Sequence, residues 1–267
     1  MGIQEHHRVS PGERETTAVE RRGRPDVPVL EPRPGGIATH AGRRMSGHPV
    51  IAFVVVTLIG FALLSACAVL AGWLLKTYAL PEHGFGHADE HVNVVLARHR
   101  SGLGNDASYW LSGIGDIFAI PAIVAITAIV AMVLRKWRVA AFIVAAIAVE
   151  AATYRVTTLL IHRDRPHVHR LDDLPVNASY YSGHTAASVA VYCGVGLLIS
   201  WKLRSGWLKA AVWLVAIAVP LLVAASRMYR GMHHPTDVAA GLLIGIGTLI
   251  VAVAAARAAK AAEGAPR

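Results

Sequence analysis

Six long apolar runs constrain this chain more than any other feature of its sequence. They cover approximately residues 49–75, 111–134, 138–161, 183–201, 207–226 and 236–256. A helix rises about 1.5 Å per residue, so about 20 apolar residues are needed to cross the hydrocarbon core of a bilayer. Only 16% of the 267 residues are charged, whereas a soluble domain carries about a quarter. The sequence therefore predicts an all-α fold, a bundle of six transmembrane helices.

The N-terminal segment differs from the apolar runs in composition. Residues 1–47 are rich in Arg, Glu, Pro and Gly and contain almost no large apolar residues. Such a segment cannot bury enough apolar surface to offset the entropy lost on folding. We predict a disordered basic tail over residues 1–47, a membrane domain over 48–258 and a short tail over 259–267.

The net charge of +9 is better explained by membrane topology than by nucleic-acid binding. Basic residues lie between the second and third runs, between the fourth and fifth runs, and in both terminal segments. These segments share one side of the membrane if six helices alternate in direction. The positive-inside rule assigns that side to the cytoplasm. We therefore expect a multi-pass cell-membrane protein with both termini in the cytoplasm and no nucleic-acid partner.

The connections on the opposite side of the membrane are unusual. The connection over residues 76–108 mixes apolar and charged residues, and the sequence leaves an interfacial helix and an ordinary loop both open. The other two, over 162–184 and 226–237, carry several arginines against the charge bias of the chain. Ionisable residues at membrane depth are costly and suggest a functional site.

The residue types in these two connections suit an oxyanion. Guanidinium groups bind phosphate oxygens in pairs, and Ser182 and Gly183 stand where a helix N-terminus would offer free backbone N–H groups. His233 and Asp237 are four residues apart, on one helical face. A carboxylate beside one ring nitrogen leaves the other nitrogen free to attack. His184 is then available for proton transfer.

A metal site is the competing interpretation of the same region. His167, His169, Asp172 and Asp173 carry groups that ligate divalent ions. Their spacing matches no compact metal motif, and the neighbouring arginines would repel a cation. We predict no metal and no other cofactor.

Three motifs in this order resemble the type 2 phosphatidic acid phosphatase (PAP2) superfamily, which also contains the vanadium haloperoxidases. The family patterns are Lys-x6-Arg-Pro, Pro-Ser-Gly-His and Ser-Arg-x5-His-x3-Asp. Here they stand as Thr158 followed by Arg165-Pro166, as Tyr181-Ser182-Gly183-His184, and as Ser226-Arg227 followed by His233 and Asp237. The third is complete, the second has tyrosine for proline, and the first has threonine for lysine.

The resemblance implies a role for each matching residue. His233 would form a phosphohistidine, Asp237 would orient it, and His184 would protonate the leaving oxygen and then activate water. The phosphoryl oxygens would be held by four residues: Arg165, Arg227, Ser182 and Gly183. The family mechanism uses no metal.

The missing lysine leaves one phosphate contact unassigned. Arg155 lies three residues before Thr158 on the same helical face and is the first candidate to replace the lysine. Arg163 is the second candidate, and Thr158 itself occupies the position. Alternatively, Arg155 only extends to the membrane interface.

The resemblance implies an integral membrane lipid phosphatase whose site faces the extracytoplasmic side. Candidate substrates are phosphatidic acid, undecaprenyl diphosphate and phosphatidylglycerophosphate. One alternative is a phosphotransferase that uses the same intermediate, and another is a lipid-binding or transport protein with a degenerate site. The sequence leaves both the lipid and the oligomeric state open.

Overall fold

The computed structural model describes residues 27–81, 84–173 and 178–264, and the regular elements within these ranges are all helical. This confirms the predicted fold class. In chain order the helices are α1 (Ile37–Arg44), α2 (Pro49–Ala79), α3 (Phe85–Arg98), α4 (Gly102–Gly113), α5 (Ala119–Val133), α6 (Trp137–Leu160), α7 (Gly183–Ser200), α8 (Gly206–Tyr229) and α9 (Pro235–Glu263). A 3-10 turn over Pro28–Leu30 precedes α1.

Five of these helices are long and apolar enough to cross a membrane: α2, α6, α7, α8 and α9. The second apolar run of the sequence does not form one helix, because the chain breaks between α4 and α5. Glycines at 113 and 115 weaken the helix there, and the Asp116 carboxylate accepts a hydrogen bond from the Ile117 backbone at 2.6 Å. The resulting α5 has 15 residues and is shorter than predicted.

The structure describes the last part of the N-terminal segment. Residues 1–26 lie outside the described residues, but residues 27–47 are ordered against the end of α9. The Gly47 backbone N–H donates to the Ala262 carbonyl at 3.0 Å, and Arg257 Nε donates to the Val29 carbonyl at 2.8 Å. Leu30 is buried in the same core as Phe142. A few apolar anchors and backbone hydrogen bonds therefore order a segment whose average composition predicts disorder.

The helices pack around α9, which contacts α2, α6 and α7. An added Cβ at Gly241 in α9 would lie 2.6 Å from the Ser182 carbonyl oxygen at the start of α7. Only glycine allows this approach, which brings the beginnings of α7 and α9 together. Large apolar side chains on the outside of the bundle, such as Leu63 and Leu214, are exposed as expected for lipid-facing positions.

The connection over residues 76–108 contains a helix rather than only an ordinary loop. The helix α3 packs against α8 and α9, and the following α4 packs against α8. Asp89 and Asn93 on α3 are buried in this contact. The two helices cover the end of the bundle at which α6 ends and α9 begins.

Candidate functional site

A cavity of about 450 Å³ lies between α5, α6 and α7. Four of the residues predicted from the motifs line it: Arg165, Gly183, His184 and His233. Arg165 stands on the irregular connection between α6 and α7, and His233 stands just before α9. Arg165 and His233, almost 70 positions apart in the sequence, therefore line the same cavity.

The hydrogen bond of His233 defines which ring nitrogen is free. Its Nδ1 lies 2.8 Å from the Ser179 carbonyl oxygen, and a carbonyl can only accept. Nδ1 therefore carries the hydrogen and Nε2 carries the lone pair. Burial lowers the pKa of His233 well below its usual range, and the positive charges of Arg227 and Arg165 act in the same direction against Asp237. The imidazole is therefore neutral at neutral pH.

Asp237 does not contact His233 in the way that the motif implies. Its Oδ2 is 4.0 Å from His233 Nδ1, too far for a hydrogen bond. The same oxygen accepts from Ser179 Oγ at 2.5 Å and from the His234 backbone N–H at 2.9 Å. Asp237 thus fixes Ser179, and the Ser179 carbonyl in turn orients His233. The orienting group missed by sequence reasoning is a backbone carbonyl, which no side-chain pattern reveals.

Arg163 neutralises two buried carboxylates. Its Nη1 donates to Asp237 Oδ1 and to Thr236 Oγ1, and its Nη2 donates to Asp89 Oδ2 at 2.5 Å. Asp89 and Asp237 are both buried. The guanidinium is therefore bound within the protein, and Arg163 is not among the residues that line the cavity.

The other two candidates to replace the lysine also lie away from the cavity. Arg155 is exposed on α6. Thr158 Oγ1 donates to the Tyr154 and Arg155 carbonyls of its own helix, at 2.9 and 3.1 Å. Neither residue is among those that line the cavity.

Tyr154 lines the cavity beside the catalytic candidates and was missed by sequence reasoning. An added Cβ at Gly183 would lie 3.0 Å from the Tyr154 ring, so the phenol stands next to the start of α7. The ring also packs edge-on against Tyr181, with 5.7 Å between centroids. Tyr154 is one helical turn from Thr158, and this spacing was the available signal.

Arg227 has hydrogen-bond donors to spare. The side chain is buried, and its Nη1 donates to Ser112 Oγ at 2.7 Å and to Asp172 Oδ2 at 2.8 Å. Its Nε and Nη2 atoms are also buried and have no hydrogen-bond partner among the described residues. Buried donors of this kind are costly unless a ligand accepts from them.

Asp172 is held by arginines, which argues against its use as a metal ligand. Besides Arg227, Arg230 contacts both of its carboxylate oxygens, with Nη2 at 2.5 Å from Oδ1. Burial raises the pKa of Asp172, but its hydrogen bonds and charge pairs with Arg230 and Arg227 outweigh this and lower it overall. In the described ranges, no group of three His, Cys, Asp or Glu residues is arranged to hold a metal ion.

Ser182 and Gly183 differ in what they can offer to a ligand. The Ser182 backbone N–H donates to the Asp237 carbonyl at 3.0 Å, and its hydroxyl is 2.9 Å from the Thr185 hydroxyl. Ser182 therefore ties α7 to α9 and does not line the cavity. Gly183 does line it, at the N-terminus of α7, where backbone N–H groups favour anions.

His184 has a carboxylate partner that the motifs do not specify. Its Nε2 lies 3.5 Å from Asp116 Oδ1, in the connection between α4 and α5. The hydrogen bond from His184 lowers the pKa of Asp116 to about 2 despite partial burial. The ionised Asp116 can orient His184 and stabilise its protonated form.

The helix α3 contributes a second carboxylate next to Asp89. Glu90 accepts a hydrogen bond from the His167 backbone N–H at 2.8 Å, and its Oε2 lies 3.0 Å from His234 Nε2. His234 in turn faces Asp237 through Nδ1, at 3.2 Å. His234 therefore links α3 to the base of the site, whereas sequence reasoning gave it no role.

Comparison with known proteins identifies the same part of the chain. Residues 136–260 match the PAP2 superfamily. The chain is 35% identical over 82 residues to the bacitracin transport permease protein BcrC of Bacillus licheniformis, and the aligned residues cover 30% of this chain and 35% of the relative. It is 34% identical over 107 residues to an undecaprenyl-diphosphatase of Sulfolobus acidocaldarius, and the aligned residues cover 40% of this chain and 48% of the relative. The chain thus spans half or less of the length of these relatives.

A solved structure shares the fold over more of the chain. It is a transmembrane phosphatidylglycerolphosphate phosphatase of PAP2 type from Bacillus subtilis, with a TM-score of 0.59 and 24% sequence identity. The superposition covers 74% of this chain and 92% of that one. The helical arrangement is therefore common to both proteins.

Proposed function

Since this chain belongs to the PAP2 superfamily, we propose that it is an integral membrane phosphatase that removes a phosphate group from a lipid. One observation carries the proposal: His233 donates from Nδ1 to the Ser179 carbonyl, which leaves the lone pair on Nε2, and it lines a cavity with His184 and Arg165. The apolar walls of this cavity suit a lipid chain. The name of the Bacillus subtilis structure suggests a phosphatidylglycerophosphate as substrate, and the name of the Sulfolobus relative suggests undecaprenyl diphosphate. Phosphatidic acid is the third candidate.

The proposed reaction has two steps. In the first, the Nε2 lone pair of His233 attacks phosphorus, and the bond between phosphorus and the leaving oxygen breaks. His184 donates a proton to that oxygen, which leaves as the lipid alcohol or, from a diphosphate, as the lipid monophosphate. In the second, His184 takes a proton from water, whose oxygen attacks phosphorus and breaks the bond to nitrogen. Inorganic phosphate leaves and His233 regains its lone pair.

Charge stabilisation of the phosphoryl group is assigned to the donors around the cavity. Arg165 and the start of α7 at Gly183 line the cavity with His233. Arg227 is not among the lining residues, but its charge acts on His233 and its two buried, unpartnered nitrogens are available as donors. Preorganised donors of this kind stabilise the charge that develops in the transition state and need no metal. We propose a metal-independent mechanism on this basis.

Phosphate release by the purified protein tests the function. We expect release from at least one of phosphatidic acid, phosphatidylglycerophosphate and undecaprenyl diphosphate, unchanged by a chelator. No release from any of them would favour a lipid-binding or transport protein. Activity lost to the chelator and restored by a metal would contradict the metal-free step. Transfer of phosphate to an added alcohol in preference to water would identify a phosphotransferase.

We propose that Tyr154 supplies the phosphate contact that the missing lysine would make. Its phenol lines the same cavity as Arg165. Tyr154→Phe should lower kcat/KM by roughly tenfold, because a hydrogen bond to a charged group contributes about 1.5–3 kcal/mol. The matched control is Thr158→Val, since Thr158 bonds only to its own helix. An equal loss in both variants would contradict the assignment.

We propose that the site faces the extracytoplasmic side, as the distribution of basic residues predicts. In a background without Cys67 and Cys193, His169→Cys should react with an impermeant thiol reagent in intact cells. His169 is exposed on the connection between α6 and α7. Arg204→Cys, between α7 and α8, should react only after lysis. The reverse pattern would overturn the orientation.

A further inference from the structure

One acidic side chain lies in the apolar part of the cavity and has no role in the proposed reaction. Glu150 on α6 lines the cavity, and it is 4% exposed. The walls around it are apolar and include Ile120, Ile147 and Ala187. A carboxyl group in such surroundings needs a physical reason, because an isolated buried charge is costly.

The depth of Glu150 places it beside the lipid rather than beside the phosphate. It lies ten residues, or about 15 Å, before the end of α6 at Leu160. Tyr154, which adjoins the start of α7, is one turn closer to that end. A substrate whose phosphate contacts His233 would therefore extend its first lipid atoms past Tyr154 towards Glu150.

The internal contacts of Glu150 do not use its full hydrogen-bonding capacity. The Tyr181 hydroxyl lies 3.5 Å from Oε1, the outer limit for a hydrogen bond, and 3.4 Å from the Glu150 backbone carbonyl. No ion pair involves Glu150 among the described side chains. In its neutral form the side chain offers one O–H donor to the cavity.

The candidate substrates differ in what they present at this depth. Phosphatidic acid carries its ester carbonyls one glycerol unit away from phosphorus, and carbonyl oxygens accept hydrogen bonds. In phosphatidylglycerophosphate these carbonyls lie a further glycerol and phosphodiester away, a polyprenyl monophosphate carries only hydrocarbon at this depth, and a polyprenyl diphosphate carries its inner phosphate. We propose that Glu150 donates a hydrogen bond to an ester carbonyl and so selects phosphatidic acid over polyprenyl phosphates. This inference rests on the proposed phosphatase function and names the substrate class of the same site.

The test compares a diacyl phosphatidic acid with its dialkyl ether analogue, which lacks only the carbonyl oxygens, and with farnesyl phosphate. We expect the full-length wild type to hydrolyse the ester with a kcat/KM roughly tenfold above that of the ether and of farnesyl phosphate. Glu150→Leu should reduce the ester-to-ether ratio to about one, while ether hydrolysis persists. Glu150→Gln keeps an N–H donor and should retain most of the ratio.

The outcomes separate this inference from the function on which it rests. Release from the ether or farnesyl substrate without an ester preference in the wild type would overturn the role of Glu150 alone. An unchanged ester-to-ether ratio in Glu150→Leu would also overturn the role of Glu150 in substrate selection. Its contact with Tyr181 would then be purely structural. If Glu150→Leu does not fold, two results would still overturn the role of Glu150. One is the absence of an ester preference in the wild type, and the other is the loss of that preference in Glu150→Gln, which keeps an N–H donor. No release from any substrate would overturn the phosphatase function itself.

Discussion

His233→Ala should lower lipid-phosphate hydrolysis by at least about a thousandfold, because it removes the proposed nucleophile. The structure makes this residue distinctive among the histidines at this end of the helix bundle. Its Nδ1 donates a hydrogen bond to the Ser179 carbonyl, so the lone pair is on Nε2, and the residue lines the cavity. The matched control is His167→Ala, because the His167 side chain is 83% exposed. The activity of this variant should stay within about twofold of that of the wild type.

Trapping the intermediate gives a second measurement on the same variant. Wild-type protein mixed with radiolabelled substrate and quenched in alkali should retain label as phosphohistidine, which is stable in base and labile in acid. His233→Ala should retain none. Label retained by His233→Ala would assign the attack on phosphorus to another residue. Hydrolysis by His233→Ala at the wild-type rate would contradict a covalent mechanism through His233.

Arg163→Met should destabilise the protein strongly, in contrast to Arg155→Met. Removing Arg163 leaves the buried carboxylates of Asp89 and Asp237 without their shared cation. Breaking a buried ion pair from one side costs about 3–5 kcal/mol. For a chain of this size, we expect the midpoint of thermal unfolding in detergent to fall by about 10 °C.

The control variant distinguishes a structural arginine from a phosphate-binding one. Arg155 is exposed, so Arg155→Met should shift the midpoint by no more than about 2 °C. If Arg163 instead bound the substrate, its replacement would raise KM and leave the midpoint of the ligand-free protein unchanged. That result would return Arg163 to the role of substitute for the missing lysine.

The missing lysine shows where inference from the sequence ends. Three residues were candidates to replace it: Arg155, Thr158 and Arg163. Their spacing along the chain alone does not distinguish between them. Their directions depend on residues far away: Arg163 is bound by Asp89 and Asp237, each more than 70 positions distant, whereas Arg155 is exposed. Tyr154 lines the cavity in their place because α7 begins beside it.

The orientation of His233 follows the same pattern. The i, i+4 spacing predicts a direct contact with Asp237, but the chain enters α9 with His234 between them at the start of the helix. The Asp237 carboxylate consequently accepts from the His234 backbone and from Ser179. The predicted role for Asp237 therefore becomes an indirect one, through the Ser179 carbonyl.

The apolar runs and the motifs were enough to predict an all-helical membrane protein that resembles the PAP2 superfamily. Both properties are local: the length of an apolar run decides whether a helix can span a bilayer, and a motif is read along the chain. The packing of the helices determines which polar groups meet: the α3 carboxylates contact Arg163 and His234, and the Glu150 carboxyl lies in the apolar cavity. The physical reason is that a buried charge or hydrogen-bond donor is defined by its partners. Those partners come from distant parts of the chain and meet only when the helices pack.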